Sequence, residues 1–166
     1  MKKVIVIGSP GAGKSVFSRK LGSLTGIPVV HLDNIYWNED KTHLENEEFD
    51  KKLSCVLKGD TWIVDGNYLR TMETRIMAAD TVILLDYPLD ICIDGAEKRV
   101  GQKRSDMPWF ENELDPEFKK WIVYFHNNDI YEVRELVKKY EEIKRIIIFK
   151  TREESEEFLK NILINA

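Results

Sequence analysis

The stretch Gly8-Ser9-Pro10-Gly11-Ala12-Gly13-Lys14-Ser15 constrains this chain more than any other part of it. Its spacing is G-x-x-x-x-G-K-[ST], in which glycines let successive N–H groups turn inward around one anion. That meaning requires a buried strand before the motif and a helix after it. Both flanks fit: Val4-Ile5-Val6-Ile7 is an apolar run, and Phe17, Leu21 and Leu24 recur at helical spacing. The unpaired N–H groups and positive dipole end of the helix add to the attraction for an anion. The pattern assigns Gly8, Ser9, Pro10, Gly11, Ala12, Gly13, Lys14, Ser15 and Val16 to nucleotide binding. It aims the Lys14 ammonium at the β/γ-phosphates as a catalytic cation and gives the Ser15 hydroxyl to Mg²⁺. ATP and Mg²⁺ are therefore the expected cofactors.

The rest of the chain alternates apolar runs with helical patterns. Residues 3–7 read as a first strand buried on both faces. The first helix ends near Gly26, with Pro28 beyond it. Ile27 to Leu32 read as a second strand with Asp33 at its C-terminal end, the edge where parallel sheets bind ligands. Residues 34–46 read as irregular, with Tyr36-Trp37 embedded. A helix over 46–58 turns Phe49, Leu53, Val56 and Leu57 inward. Trp62 to Asp65 form a third strand, and a helix over 68–79 keeps Arg70 off its apolar stripe. Thr81 to Asp86 form a fourth strand. Pro88 suits the first turn of a helix carrying Leu89, Cys92, Ile93, Ala96 and Val100. Residues 101–114 read as a mobile loop. Asp115-Pro116-Glu117 opens a helix with Phe118, Trp121, Ile122 and Phe125 inward. Asp129 and Glu132 open another in capping-box-like spacing, with Arg134 off its apolar side. Arg145 to Phe149 make the last strand, and Thr151 with Glu154 caps a final helix. Five strands alternating with helices imply a three-layer α/β/α fold around a parallel sheet, with no linker dividing residues 1–166.

Several side chains stand where phosphoryl-transfer chemistry would need them. Asp65, at a strand end beside the phosphate loop, suits a magnesium-bound water; a turn aspartate capping the next helix is the alternative. Asp33 suits an acceptor hydroxyl, a base or Mg²⁺, and equally a helix cap. His31 reads as a hydrogen-bonded core histidine. Tyr36 and Trp37 either line an acceptor pocket or cover the core, and Trp109 and Phe110 pose the same choice. A transferring phosphoryl group needs positive charge around it, and guanidinium binds its oxygens in pairs. Arg99 and Arg104 flank the 101–114 loop, Arg134 lies on a helix returning from it, and Arg70 faces the acceptor side.

The net charge of -4 offers no broad basic face, so direct nucleic-acid binding is not expected. Cys55 and Cys92 are far apart on apolar helical patterns, which reads as two buried free thiols in a reducing compartment. The N-terminal apolar run is too short for a signal peptide or a membrane span. A cytoplasmic protein, monomeric or weakly dimeric, is the expectation.

The chain resembles adenylate-kinase-like P-loop kinases, and within them the bacterial DNA topology modulation proteins. The resemblance rests on Gly8 to Ser15, Ile27 to Asp33, Trp62 to Tyr68, the segment from Arg99 to Met107, and Lys150-Thr151-Arg152. It implies a P-loop NTPase fold of nucleotide-kinase type with strand order 2-3-1-4-5. It also implies an acceptor-binding insert over about 34–58 and a short lid over about 101–114. By the same resemblance Asp65 is the magnesium-side aspartate, and Arg99 and Arg104 are lid arginines. Arg134 is the arginine of the next helix, Arg152 borders the adenine, and Arg70 takes the place of the phosphate-binding arginine on the acceptor side. The chain departs from adenylate kinases in reading Asp-Gly-Asn-Tyr-Leu-Arg, without a proline and with its arginine shifted. The implied activity is ATP- and Mg²⁺-dependent transfer of the γ-phosphoryl group to a small molecule, a nucleoside monophosphate first. The alternative is an ATP-binding regulator acting on DNA topology or a protein partner. No Asn-Lys-x-Asp segment supports a GTPase.

Overall fold

The computed structural model describes residues 1–164. Strands β1 (Lys3–Gly8), β2 (Val29–His31), β3 (Trp62–Asp65), β4 (Thr81–Leu85) and β5 (Arg145–Phe149) form one parallel sheet in the order β2-β3-β1-β4-β5. The expected order therefore stands. Helix α1 (Lys14–Thr25) follows β1, α2 (Leu32–Tyr36) and α3 (Asn46–Leu57) follow β2, and α4 (Leu69–Ala78) follows β3. Helices α5 (Leu89–Lys98), α6 (Pro116–Asn127) and α7 (Asp129–Lys139) lie between β4 and β5, and α8 (Arg152–Ile164) follows β5. Among the described residues no helix is long and apolar enough to cross a membrane.

Strand side chains alternate between faces, so the central run of β1 feeds two cores. Ile5 and Ile7 join Phe49, Leu53, Met72, Ile76, Phe125 and Val133 on one face. Val4 and Val6 join Phe17, Leu21, Cys92, Ala96 and Leu159 on the other. Each large aliphatic side chain buried there contributes about 1.5–3 kcal/mol. Strand β1 is also tied at its start, where the Asp80 carboxylate accepts from the Lys2 and Lys3 N–H groups at 2.7 and 2.9 Å.

Several local expectations are corrected. Strand β2 starts at Val29 and stops at His31, because the chain turns at once into the short helix α2. That turn buries Leu32 and packs Ile35 and Tyr36 on the core, so Asp33 sits in a first helical turn rather than at a strand end. The 34–46 segment is likewise partly ordered: Trp37 and His43 pair as an antiparallel bridge. Pro88 is the N-cap of α5, not a first-turn residue. Asn128 rather than Asp129 caps α7, without a side-chain bond. Trp121 is 43 % exposed, because Ile122 and Phe125 supply the buried contacts of α6. Cys55 is exposed and Cys92 buried; both are free thiols. The Thr151–Glu154 capping box does form, with Glu154 N–H to Thr151 Oγ1 at 3.2 Å and Thr151 N–H to the Glu154 carboxylate at 3.3 Å.

The phosphate loop is pressed onto α5. A Cβ at Gly11 would lie 2.0 Å from the Cys92 carbonyl oxygen, and one at Gly95 would lie 2.2 Å from the Gly11 carbonyl oxygen. Glycine to alanine inside a helix ordinarily gains up to about 1 kcal/mol. At Gly95 the sign reverses: Gly95→Ala should lose about 1–2 kcal/mol, the overpacking cost outweighing propensity. Urea denaturation measures this, and a stabilised variant would contradict the contact.

Candidate functional site

Between β1 and α1 the loop turns through Gly11 at φ 82° and Gly13 at φ 89°, a left-handed region closed to most side chains. Ala12 N–H donates to the Ser9 carbonyl at 3.1 Å, and Gly8 N–H donates to Asn67 Oδ1 at 3.3 Å. Lys14 folds back over the loop and donates to the Gly8 and Ser9 carbonyls at 3.0 and 3.1 Å. Burial lowers its pKa, against the pull of Asp33 and Asp65.

The acidic side of the site comes from the ends of β2 and β3. His31 and Asp65 are register partners, so their side chains share a face. Both are buried, with His31 Nδ1 2.7 Å from Asp65 Oδ2. Asp33, two residues beyond His31, accepts a 2.6 Å hydrogen bond from the Tyr68 hydroxyl. Burial raises the Asp33 pKa, with the Tyr68 bond and Lys14 opposing. Burial and the neighbouring Asp33 raise that of Tyr68.

Tyr68 is held in place by an unusual support. Its backbone is left-handed at φ 38°, a strained conformation for a residue with a side chain. The fully buried Arg75 guanidinium donates to the Gly66 carbonyl at 2.8 Å, to that of Tyr68 at 3.1 Å, and to that of Asn67. Burial brings the Arg75 pKa down to about 9. This arginine faces inward beside Met72 and Ile76, so its helical position carried a signal that sequence reading passed over.

The 101–114 segment reaches the same place. Asp106 is buried and accepts from Arg104 Nη2 at 2.5 Å and from Arg19 Nη1 at 3.3 Å. Burial opposes its charge, but Arg104 and the Ser15 hydroxyl hold its carboxyl well below the usual range. Arg104 also donates to Glu111 at 2.9 Å, and Arg99 Nε lies 3.3 Å from the same carboxylate. Burial and Arg104 lower the Arg99 pKa. Asn34 Nδ2 donates to the Ser105 carbonyl at 2.7 Å, and Trp37 meets Trp109 edge-on at 5.7 Å. Asp106 and Arg19 escaped sequence reading because a lone acid among basic residues looks like solvated charge.

The structure thus gathers Lys14, Ser15, Asp33, Asp65, Arg99 and Arg104. Arg134 is not with them: it forms a two-pronged pair with Asp86 at 3.1 and 2.8 Å, and Lys150 joins the same carboxylate. A strand-end aspartate flanked by two cations explains the diversion. Arg70 pairs with Asp50 at 2.8 and 2.7 Å on the exposed side of α4. Tyr36 stacks on His43 at 4.9 Å and packs edge-on against Phe49 and Tyr68. Arg152 donates to the Ile91 carbonyl at 3.0 Å and borders a cavity of about 300 Å³ beside the phosphate loop. Gly13, Phe17, Tyr87, Arg99 and Leu159 also line that cavity.

The donor set fits a polyphosphate with Mg²⁺. Loop N–H groups and Lys14 suit phosphate oxygens, while Ser15 and Asp65 carry oxygen donors of the kind that would suit Mg²⁺. No group of three acidic, His or Cys side chains among the described residues would hold a metal alone. Mg²⁺ ordinarily completes its shell with phosphate and water, so one hydroxyl and one carboxylate suffice.

No family model matches the chain. It is 26% identical to an adenylate kinase of Thermotoga maritima over 118 residues, which are 67% of this chain and 53% of that one. The chain thus spans about half the length of that curated relative. Among solved structures, a gluconokinase from Sinorhizobium meliloti 1021 superposes with TM-score 0.60 at 12% identity, over 98% of this chain and 90% of that one. A shikimate kinase from Aquifex aeolicus vf5 superposes with TM-score 0.53 at 15% identity, over 98% and 94%. The chain shares the fold of these kinases.

Asp106→Ala should cost about 2–3 kcal/mol at pH 7, because Arg104 keeps Glu111 while Arg19 loses its partner. Asp106 has a depressed folded pKa, so its contribution is whole above the ordinary value near about 3.9 and fades as pH falls below it. The gap between wild type and variant should therefore close in acid. Urea denaturation at pH 7 and again below about pH 3.9 checks this, and a gap independent of pH would contradict the pairing.

Proposed function

We propose that this chain is an ATP- and Mg²⁺-dependent phosphotransferase acting on a small molecule. The observation that carries the reading is the convergence of Lys14, Ser15, Asp33, Asp65, Arg99 and Arg104 on one phosphate loop. In this reading the amides of Gly11, Gly13, Lys14, Ser15 and Val16, with the Lys14 ammonium, grip the β- and γ-phosphates. Lys14 exchanges its loop carbonyls for phosphate oxygens. Arg99 and Arg104, carried by a lid over about 101–114, neutralise charge on the group being moved. Asp106 yields Arg104 and Ser15 as the triphosphate enters. Arg152 and the cavity beside it border the nucleotide base. Ser15 and Asp65, the latter oriented by His31, would hold Mg²⁺, which would withdraw charge from the phosphates. Arg134 would take part only by leaving Asp86. The lid's contacts with Asn34 and Trp37 exclude water, the competing acceptor.

The likeness to adenylate kinase supports a nucleoside monophosphate as acceptor, with Tyr36 beside its base and Arg70 released from Asp50 to its phosphate. The segments Gly8 to Ser15, Ile27 to Asp33 and Trp62 to Tyr68 support a narrower place near the topology modulation proteins. A direct role on DNA gains nothing from the net charge of -4.

A coupled assay should show ADP release that depends on both acceptor and Mg²⁺ and disappears in Lys14→Ala. ADP release indifferent to every acceptor would contradict the proposal. Arg104→Ala should lower kcat about 100-fold or more while ATP affinity changes little; unchanged kcat would make Arg104 a structural ion-pair partner alone. Asp65→Asn should raise the Mg²⁺ concentration needed for half-maximal rate, and an unchanged titration would remove Asp65 from the site.

A further inference from the structure

Resting on the phosphotransferase reading, the acceptor side carries its own chemical signature. Its polar groups are the Asp33 carboxylate, the Tyr68 hydroxyl bonded to it at 2.6 Å, and the His31–Asp65 pair. Asp33 also feels the Lys14 ammonium and, against it, Asp65 and Asp106. A phosphate acceptor placed against these carboxylates would need cations of its own. The arginines of neighbouring elements are committed elsewhere. Arg70 holds Asp50 on the exposed face of α4. Arg75 gives its guanidinium to three backbone carbonyls and is wholly buried. Arg99 and Arg104 share Glu111, and Arg104 also holds Asp106. An uncharged hydroxyl meets none of this repulsion, and a carboxylate next to a phenol is a natural partner for it.

The support behind Tyr68 strengthens the point. A buried arginine clamps residues 66–68, and the clamped loop keeps Tyr68 left-handed with its hydroxyl on Asp33. Strain of this kind is retained where surrounding structure over-determines it, and it clusters at ligand-contacting sites. The fold thus fixes the orientation of Asp33, which a general base or hydroxyl acceptor must have.

We infer that the phosphoryl acceptor is an alcohol rather than the nucleoside monophosphate that the adenylate kinase likeness supports: Asp33, oriented by Tyr68, receives its hydroxyl group. The alcohol oxygen attacks the γ-phosphorus, forming a C–O–P bond. The bond from the γ-phosphorus to the β,γ-bridging oxygen breaks, and its electron pair leaves on ADP. The hydroxyl proton passes to Asp33 and then to water as product departs. The products are a phosphate monoester, ADP and a proton, so atoms and charge balance. Burial raises the Asp33 pKa, which strengthens the carboxylate as a base. Arg75 acts through the loop and is a positioning residue.

The test uses the full chain with γ-labelled ATP, Mg²⁺ and a deproteinised bacterial small-molecule extract. Phosphorus NMR and mass spectrometry then sort the labelled products. Label in phosphate monoesters is expected, and label confined to diphosphates would overturn the acceptor class while leaving phosphotransfer standing. No labelled product at all, with ATP bound, would overturn phosphotransfer itself. With the monoester-forming acceptor, Asp33→Asn should lower kcat at least about 100-fold with ATP affinity within about twofold. Tyr68→Phe, which keeps the ring in the core, should lower kcat/KM for the acceptor about tenfold. A folded Asp33→Asn protein with wild-type kcat would overturn the inference.

Discussion

The contact between the phosphate loop and α5 is the constraint on which the site depends. A loop of main-chain N–H groups attracts an anion only if those groups stay pointed inward, and a glycine-rich loop left to itself would not hold them there. Gly11 and Gly95 remove the side chains that would otherwise separate loop from helix. Asn67 fixes the loop's entry through Gly8, and Lys14 bonds back to two of its carbonyls. The cradle is thus built before any phosphate arrives, so little ordering remains to oppose binding.

Around that cradle, charge is arranged in compensated pairs rather than as a free positive field. Arg104 has Asp106 and Glu111, Arg99 has Glu111, and Lys14 has loop carbonyls with two carboxylates nearby. A polyphosphate entering this network replaces existing partners instead of meeting bare cations. Asp106 is the clearest case, a buried carboxylate on Ser15, Arg104 and Arg19. Selectivity would follow from the exchange, because a ligand must offer more negative charge than one carboxylate to displace it. The acidic acceptor side extends the same logic and favours a neutral partner there.

The fold was legible because β1, the loop and α1 form a local unit whose residues announce each other. Apolar runs located all five strands, and turn residues such as Gly26 and Thr151 marked helix ends. Strand order came with the family resemblance, since apolar runs alone do not rank neighbours. Side-chain pairing was far less legible. Asp33 was placed at a strand end because a one-turn helix has too few residues to show a period. Arg134 and Arg70 were sent to the site because a carboxylate 48 or 20 residues away in sequence leaves no local trace. Arg75 and Asp106 were passed over because buried charge is rare and the default is a solvated one.

The claim beneath this account is that residues 8–16 form a preorganised site for a nucleoside triphosphate. Isothermal titration of the folded protein with ATP and Mg²⁺ tests it most directly. The account predicts one-to-one binding in the range of about 1 μM to 1 mM typical of enzyme substrates, lost when inorganic pyrophosphate occupies the loop. A folded protein that gives no binding heat at several temperatures, and no thermal stabilisation by saturating ATP, would contradict it.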